Sequence, residues 1–315
     1  MDKILRIVFF GSSQFVVQLA KSILDSNHNL VGVVTQPDTL LRGKIFRNPI
    51  SQFAQENNIT VFTPKKINHE FEEFMSLFGD IDICIVASFG QIISQEILNH
   101  PKYGFINWHP SNLPKYRGAT PIQSSILHGD TESALSWIIM TKNMDEGDIL
   151  LQKKYHVYPN STFTDIAMDM QQLGVETWGE AVENRIQNNI QFSQDQNKAT
   201  FCHKIQKSDG FIDIQSSESG EIYNKWRAFF SFPGIHIIDN VHFHDTVKIV
   251  QLTGSIKGIH TEETIQYEDD VWIQTRFHRK QKVYIKCKSG TLLRVTQIGL
   301  TGGRKIKLDG YLFTR

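Results

Sequence analysis

The sequence predicts an α/β protein in two parts, an open Rossmann-like sheet at the N-terminus and a smaller OB-like β-barrel after it. Three observations carry that expectation. The chain has 315 residues, 40% hydrophobic and 11% aromatic, about twice the length of a common single domain and apolar enough to bury two cores. Up to residue 186, short apolar runs alternate with segments of helical period, as in βαβ units around a parallel sheet. Beyond Pro233 the pattern changes to short alternating strands separated by Gly and charged turns, which fits a small barrel and also a sandwich.

Residues 5–10 (LRIVFF) form an apolar run of strand length, ended by Gly11-Ser12-Ser13 and followed by an amphipathic helix to about Leu24. Residues 30–35 give a second strand, and the polar stretch 36–48 predicts a loop of the long kind that carries function. Helical segments at 50–56 and 71–78 flank a short strand at 60–62, and the run 81–87 is the next strand. The strand 104–109 leads into Pro110, Pro114 and Gly118, and the prolines give the following chain a fixed path. A helix over 121–127, strands over 134–140 and 149–157, and a long helix over 163–186 complete the first part.

Residues 187–196 are rich in Asn and Gln, which is linker composition. The expected division is therefore a catalytic domain over 1–189, a linker over 190–208 and a β-barrel over 209–315. The barrel opens with a helix over 219–229 and continues through strands at 236–238, 247–252, 271–275, 283–287 and 292–297.

Several function classes are argued against. The first turn reads F-G-S-S-Q-F rather than G-x-G-x-x-G, so the glycines that let a backbone approach a pyrophosphate are absent, as is a Walker A loop. Cys84, Cys202 and Cys287 make no C-x-x-C pair, which leaves no zinc knuckle or dense disulfide framework and fits a reducing compartment. The N-terminus MDKILRIVFF has too short an apolar run for a signal peptide or a membrane span, so a soluble, cytoplasmic protein is expected. His242 and His244 share a strand face, with His236 nearby, but no Cys or carboxylate cluster accompanies them and no metal is expected.

The densest group of chemistry-bearing residues is NWHPSNLPKYRG over residues 107–118. Strand alternation points Asn107 and His109 to one side, at the carboxyl end of their strand, where ligands bind in open α/β sheets. Thirty-six residues beyond His109, the acidic turn Met144-Asp145-Glu146-Gly147-Asp148 offers a carboxylate. An amide, an imidazole and a carboxylate together suit acyl transfer to an amine: Asn donates to a developing oxyanion, His moves a proton and Asp orients the imidazole. On spacing alone, an Asn-x-His strand end also fits a structural pair, and the acidic turn fits a plain turn.

Residues 107–122 (NWHPSNLPKYRGATPI) together with 144–150 (MDEGDIL) resemble the signature of the 10-formyltetrahydrofolate-dependent formyltransferases. Within that family the chain is most similar to the methionyl-tRNA formyltransferase branch, through the F-G-S-S-Q-F turn, Val34-Thr35-Gln36-Pro37-Asp38, Arg42-Gly43-Lys44, Ile212-Asp213, and Trp226-Arg227-Ala228-Phe229 with Pro233-Gly234. The resemblance implies that Asn107, His109 and Asp145 are catalytic. It implies a folate site built from Phe89, Gly90, Gln91, Ile92 and Ile93, with Ser111, Leu113, Pro114, Lys142, Asn143 and Met144. It also implies 10-formyltetrahydrofolate as donor, initiator methionyl-tRNA as acceptor, a basic loop tip at Arg42 and Lys44 that enters the acceptor end of the tRNA, and a monomeric protein. Three departures stand out: Trp108 replaces a small aliphatic residue, Asn112 replaces a leucine, and the loop is shorter than the common form.

Net charge is zero, which at first argues against a nucleic-acid binder. The zero hides an asymmetry. Residues 1–206 carry seventeen Lys or Arg against twenty-one Asp or Glu, and residues 207–315 carry sixteen against twelve. From Arg276 to Arg315 there are eleven basic residues and one acid, Asp309, a footprint for a phosphate backbone that includes Arg304, Lys305 and Lys307. A sugar-nucleotide N-formyltransferase or a formyltetrahydrofolate hydrolase would share the trio but not need that basic region. A catalytically silent RNA-binding protein would need the region but not the trio.

Overall fold

The computed structural model describes residues 3–41, 43–239, 245–256, 263–266, 272–277, 280–300 and 305–308. It divides into two compact units, one of residues 1–121, 132–156 and 167–203, the other of residues 122–131, 157–166 and 204–315.

The first part of the chain runs β1 (Arg6–Gly11), α1 (Val17–Leu24), β2 (Asn29–Val34), β3 (Thr39–Leu41), β4 (Lys44–Phe46), α2 (Pro49–Glu56), β5 (Thr60–Phe62), α3 (Phe71–Phe78) and β6 (Ile83–Ala87). It continues through α4 (Gln95–Leu98), β7 (Phe105–His109), β8 (Arg117–Gly118), α5 (Pro121–Leu127), β9 (Glu132–Ile139), β10 (Ile149–His156), α6 (Phe163–Ile186) and β11 (Phe201–Cys202). Local chemistry sets these boundaries. Asn48 caps α2 by accepting from the Ile50 N–H, with Pro49 in the first turn. In β1 every residue after Arg6 is buried, as expected of a strand covered on both faces. Phe10 packs against Phe74, Phe89 and Phe105 at centroid separations of 5.7, 5.2 and 5.2 Å, which ties α3 and three neighbouring segments into one apolar core.

The main sheet has the order β10-β9-β7-β6-β1-β2-β5. Strands β7, β6, β1, β2 and β5 are parallel, and β9 and β10 are antiparallel to their neighbours. The all-parallel expectation therefore fails at one edge: β9 turns back into β10 through residues 140–148, a connection too short for a helical crossover. With β2 on one side of β1 and β6 on the other, the strand order reverses at β1. The carboxyl ends of β1 and β6, where Gly11 pairs with Ala87, open the crevice in which such sheets bind ligands.

Two other expectations are refined. The loop 36–48 contains a small antiparallel hairpin, β3–β4, with Gly43 in the turn at φ 75°. Its Leu40, Ile45 and Phe46 side chains are exposed. The stretch of linker composition is also not free chain. Asn and Gln there find specific acceptors and donors, and β11 pairs in parallel with β8.

The other unit contains α7 (Ser219–Ala228) and the strands β12 (Ile235–Asp239), β13 (Asp245–Ile256), β14 (Glu263–Gln266), β15 (Trp272–Phe277), β16 (Lys280–Lys286), β17 (Leu292–Gly299) and β18 (Lys305–Lys307). They form one antiparallel sheet in the order β12-β13-β17-β16-β15-β14, with β18 also on β17. Register shifts along β13 bend it across β17. Among the described residues no pairing of β14 with β12 closes this sheet into a barrel. Ile235, Ile237, Ile249, Val283, Ile285, Leu293, Val295 and Ile298 are buried and form the core side of this sheet.

Candidate active site

The alternation of β7 separates its side chains as the sequence requires. Trp108 is 4% exposed, and its Nε1 donates to the Met170 carbonyl of α6 at 3.3 Å. A Cβ on Gly174 would lie 2.7 Å from that nitrogen, so a glycine on α6 leaves the room that the larger residue at 108 needs. Asn107 and His109 lie on the other side.

Asp145 reaches them from the turn between β9 and β10. Its backbone is left-handed, with φ 54°. A Cβ on Gly147 would lie 1.7 Å from the Ile139 carbonyl oxygen, so the turn folds back against β9 only because residue 147 is glycine. This places Asp145 Oδ1 3.3 Å from Asn107 Nδ2, which donates to it, and Asp145 Oδ2 3.5 Å from His109 Nδ1. The three side chains that the sequence singled out therefore meet.

Two main-chain groups complete the cluster. The Gly118 N–H donates to Asp145 Oδ2 at 2.8 Å, and His109 Nε2 lies 3.0 Å from the Tyr116 carbonyl oxygen. A carbonyl only accepts, so Nε2 is the donor in that contact, and Nδ1 is the ring nitrogen that faces Asp145. His109 is 4% exposed, which removes the ring from bulk water.

Arg117, fully buried, lies behind the trio. Its guanidinium donates to Gln194 Oε1 from Nε at 3.1 Å and Nη2 at 2.8 Å, to Gln196 Oε1 from Nη1 at 2.7 Å, and lies 3.3 Å from Glu146. Gln194 Nε2 in turn donates to the carbonyls of Asp145 at 2.8 Å and Gly147 at 2.7 Å. Sequence reasoning gave no role to Tyr116, Arg117, Gly118 or Gln194. Two of those contacts use main chain, and the glutamine lay in a stretch that composition marks as linker.

The residues expected around the folate fall into two groups. Phe89–Ile93 follow β6 as irregular chain, and Phe89 is buried while Ile92 is 71% exposed. The Phe89 carbonyl accepts from Ser12 Oγ at 3.3 Å and Gln36 Nε2 at 3.0 Å, and Gly90 has φ 85°. Gln91 is engaged within the protein: its Oε1 accepts from Ile67 N and its Nε2 donates to the Pro64 carbonyl. The second group is near the trio. Ser111 is buried and donates to the Lys115 carbonyl, Leu113 packs with Ile138 and Ile149, and the Pro114 carbonyl accepts from Thr200 N. Lys142, Asn143 and Met144 are exposed, with Asn143 Nδ2 donating to Glu146 Oε2 at 2.9 Å.

Of the expected tRNA contacts, Lys44 is exposed on β4, and Lys305 and Lys307 are exposed on β18; Arg42 and Arg304 lie outside the described residues. His236 rests against Phe211 with ring centroids 5.7 Å apart, and His242 and His244 lie outside the described residues. Among the described residues no group of three or more His, Cys, Asp or Glu side chains is placed to hold a metal ion, and no helix is long and apolar enough to cross a membrane.

Residues 5–182 match the formyl transferase family model, and residues 204–314 match the model of the formyl transferase C-terminal domain. The methionyl-tRNA formyltransferase of Thermotoga maritima is 34% identical over 289 residues, covering 90% of this chain and 90% of that protein. That of Orientia tsutsugamushi is 35% identical over 313 residues, covering 98% of this chain and 96% of that one. Among solved structures, an N-formyltransferase from Helicobacter canadensis in complex with folinic acid and dTDP-3-aminofucose superposes with a TM-score of 0.65 at 19% identity, over 93% of this chain and 99% of that chain. HypX from Aquifex aeolicus superposes with a TM-score of 0.63 at 16% identity, over 98% of this chain and 48% of that chain. These two share the fold.

Proposed function

The chain belongs to the formyl transferase family, and from that premise we infer that it transfers a formyl group from 10-formyltetrahydrofolate to the α-amino group of methionine on initiator tRNA. The observation that carries this reading is the meeting of Asn107, His109 and Asp145 at the carboxyl end of β7, in a chain whose curated relatives match over nearly its whole length.

The chemistry follows from the donors and acceptors present. The folate supplies the formyl carbon. Asn107 has two amide hydrogens, one engaged by Asp145, and the other is free to meet the formyl oxygen as negative charge develops there. The attacking amine must be neutral, and an α-amino group of pKa about 8 or below is already partly so at neutral pH. As the carbon–nitrogen bond forms, the amine loses a proton, and His109 Nδ1 is placed to take or relay it. The resulting imidazolium has an acceptor at each ring nitrogen, the Tyr116 carbonyl and Asp145. The proton returns to the folate nitrogen as its bond to the formyl carbon breaks, so charge is balanced over the cycle.

The donor would sit against Phe89–Ile93, with Ser111, Leu113, Pro114 and Lys142–Met144 near the reacting end. The engagement of Gln91 within the protein, its Oε1 accepting from Ile67 N and its Nε2 donating to the Pro64 carbonyl, fixes the path of this segment and supports recognition by main chain there. The tRNA would meet Arg42 and Lys44 in the catalytic domain, residues 1–189, and Arg304, Lys305 and Lys307 in the basic domain, residues 209–315. We place the reaction in the cytoplasm.

The test is competition among acceptors. 10-Formyltetrahydrofolate is supplied with charged initiator tRNA, with an amino-sugar nucleotide, or with water alone. Donor consumption is expected with the tRNA; consumption only with the sugar nucleotide or with water would overturn the reading.

A further inference from the structure

Gln194 lies where composition marks a linker, yet it is 8% exposed and both ends of its amide are engaged. The two bonds from the Arg117 guanidinium to Oε1, at 3.1 and 2.8 Å, fix which end of the amide is oxygen. Nε2 must therefore face the turn that carries Asp145, where its two hydrogens reach the carbonyls of Asp145 and Gly147 at 2.8 and 2.7 Å. Arg117 is itself held, by Gln196 and Glu146, so the fork that orients the amide has no free rotation. The turn needs such a fastening. Asp145 holds a left-handed backbone at φ 54°, a region that costs a non-glycine residue more than the ordinary ones even though Asp tolerates it better than most.

We propose that Gln194 is a positioning residue for Asp145, tying the two carbonyls of the catalytic turn so that the carboxylate stays where Gly118, Asn107 and His109 meet it. The proposal rests on the reading of Asp145 as a member of the catalytic trio. It makes the segment after α6 part of the active site: Thr200 and β11 bind the main chain of Pro114, Tyr116, Arg117 and Gly118 on the same side of the cluster. The hydrogen bonds of Gln194 go to Arg117 and to the turn, whose Lys142–Met144 face the donor in the functional reading, so its loss acts on the rate and on the donor side and leaves tRNA binding in place.

The test is steady-state formylation by the full-length protein carrying Gln194→Glu. That variant keeps an acceptor for Arg117, which preserves the fold, and sets a carboxylate oxygen against the two carbonyls in place of two donors. The expected result is a kcat lowered roughly 100-fold, with KM for the tRNA changed by no more than about twofold. Replacing Arg117 and Gln194 together by Met removes the tie without leaving a buried cation unpaired, and the same loss of kcat is expected. In an Asp145→Ala background, Gln194→Glu should cause almost no further loss, because the two act as one unit. A wild-type kcat in a folded variant, a loss confined to KM, or a further loss of roughly 100-fold in the Asp145→Ala background would overturn the proposal. If the wild-type protein uses another acceptor, the functional reading fails by itself, and the same kcat-against-KM split is read on that acceptor.

Discussion

Gly118 donates its main-chain N–H to Asp145 Oδ2 at 2.8 Å, a closer contact than the 3.5 Å between that oxygen and His109 Nδ1. The strongest hold on the carboxylate is thus a backbone group, and the imidazole is oriented from its other side by the Tyr116 carbonyl. Asp145 acts as a hub, accepting from Gly118 and Asn107 while presenting a charge to the ring.

That relationship makes a first prediction. Gly118 has φ 119°, and a Cβ there would lie 2.2 Å from the Cys202 carbonyl oxygen. Gly118→Ala must move either its own N–H or the strand Phe201–Cys202, so both stability and rate should fall, stability by about 1–3 kcal/mol. Thermal melting and kcat measured on the same preparation check this. An unchanged kcat would show that the N–H contact to Asp145 has no catalytic weight.

The basic domain makes a second. Lys305 and Lys307 are exposed on β18. Reversing both to Glu should raise KM for tRNA far more than it lowers kcat, and the tRNA affinity of the wild type should fall steeply with added salt. Kinetics indifferent to both changes would remove this strand from the tRNA path.

The cysteines make a third. Burial pushes the Cys84 thiol well above its ordinary value, and burial together with the Glu218 charge raises Cys287 to about 12. Neither is a thiolate near neutral pH, so both should resist alkylation in the native protein and react once it is unfolded. Mass spectrometry after a timed iodoacetamide pulse reads the adducts, and rapid native labelling of Cys287 would contradict its buried placement.

How much of this was legible beforehand follows physical lines. Strands with continuous apolar runs, such as Arg6–Gly11 and Ile83–Ala87, announce themselves because both faces are covered. Asn107 and His109 were visible because strand alternation is a strict period, whereas the acidic turn offered Asp145, Glu146 and Asp148 alike and only the family resemblance marked Asp145. The hairpin Thr39–Phe46 was hidden because its apolar residues stay exposed, so no burial pattern marks it. The roles of Gly118 and Tyr116 reside in main-chain atoms, which side-chain reading does not see. Gln194 was hidden for a related reason: a buried amide satisfied by long-range partners has the same composition as a solvated linker.

Acid stability makes a fourth prediction. Burial pushes the Asp82 carboxyl up, but the hydrogen bonds from the Lys3 ammonium and the Arg6 N–H, with the Lys3 and Lys102 charges, outweigh it and hold the group below its ordinary 3.8. A carboxyl depressed on folding stabilises the native state above its unfolded pKa, and that contribution is lost as pH falls through the folded value. Asp82→Asn should therefore melt lower than wild type near neutral pH, with the difference closing below about pH 4. A difference that stays constant across that range would mean that the carboxyl is not depressed.

The central claim is that His109, held between Tyr116 and Asp145, moves the amine proton during formyl transfer. Its most direct test is the single-turnover rate of formylmethionyl-tRNA formation with saturating 10-formyltetrahydrofolate, comparing wild type with His109→Ala, alongside tRNA binding by the same two proteins. The prediction is a rate lower by roughly 10²- to 10⁴-fold with tRNA affinity nearly unchanged. A near-normal rate in the alanine variant, or a loss traced entirely to weaker tRNA binding, would contradict it.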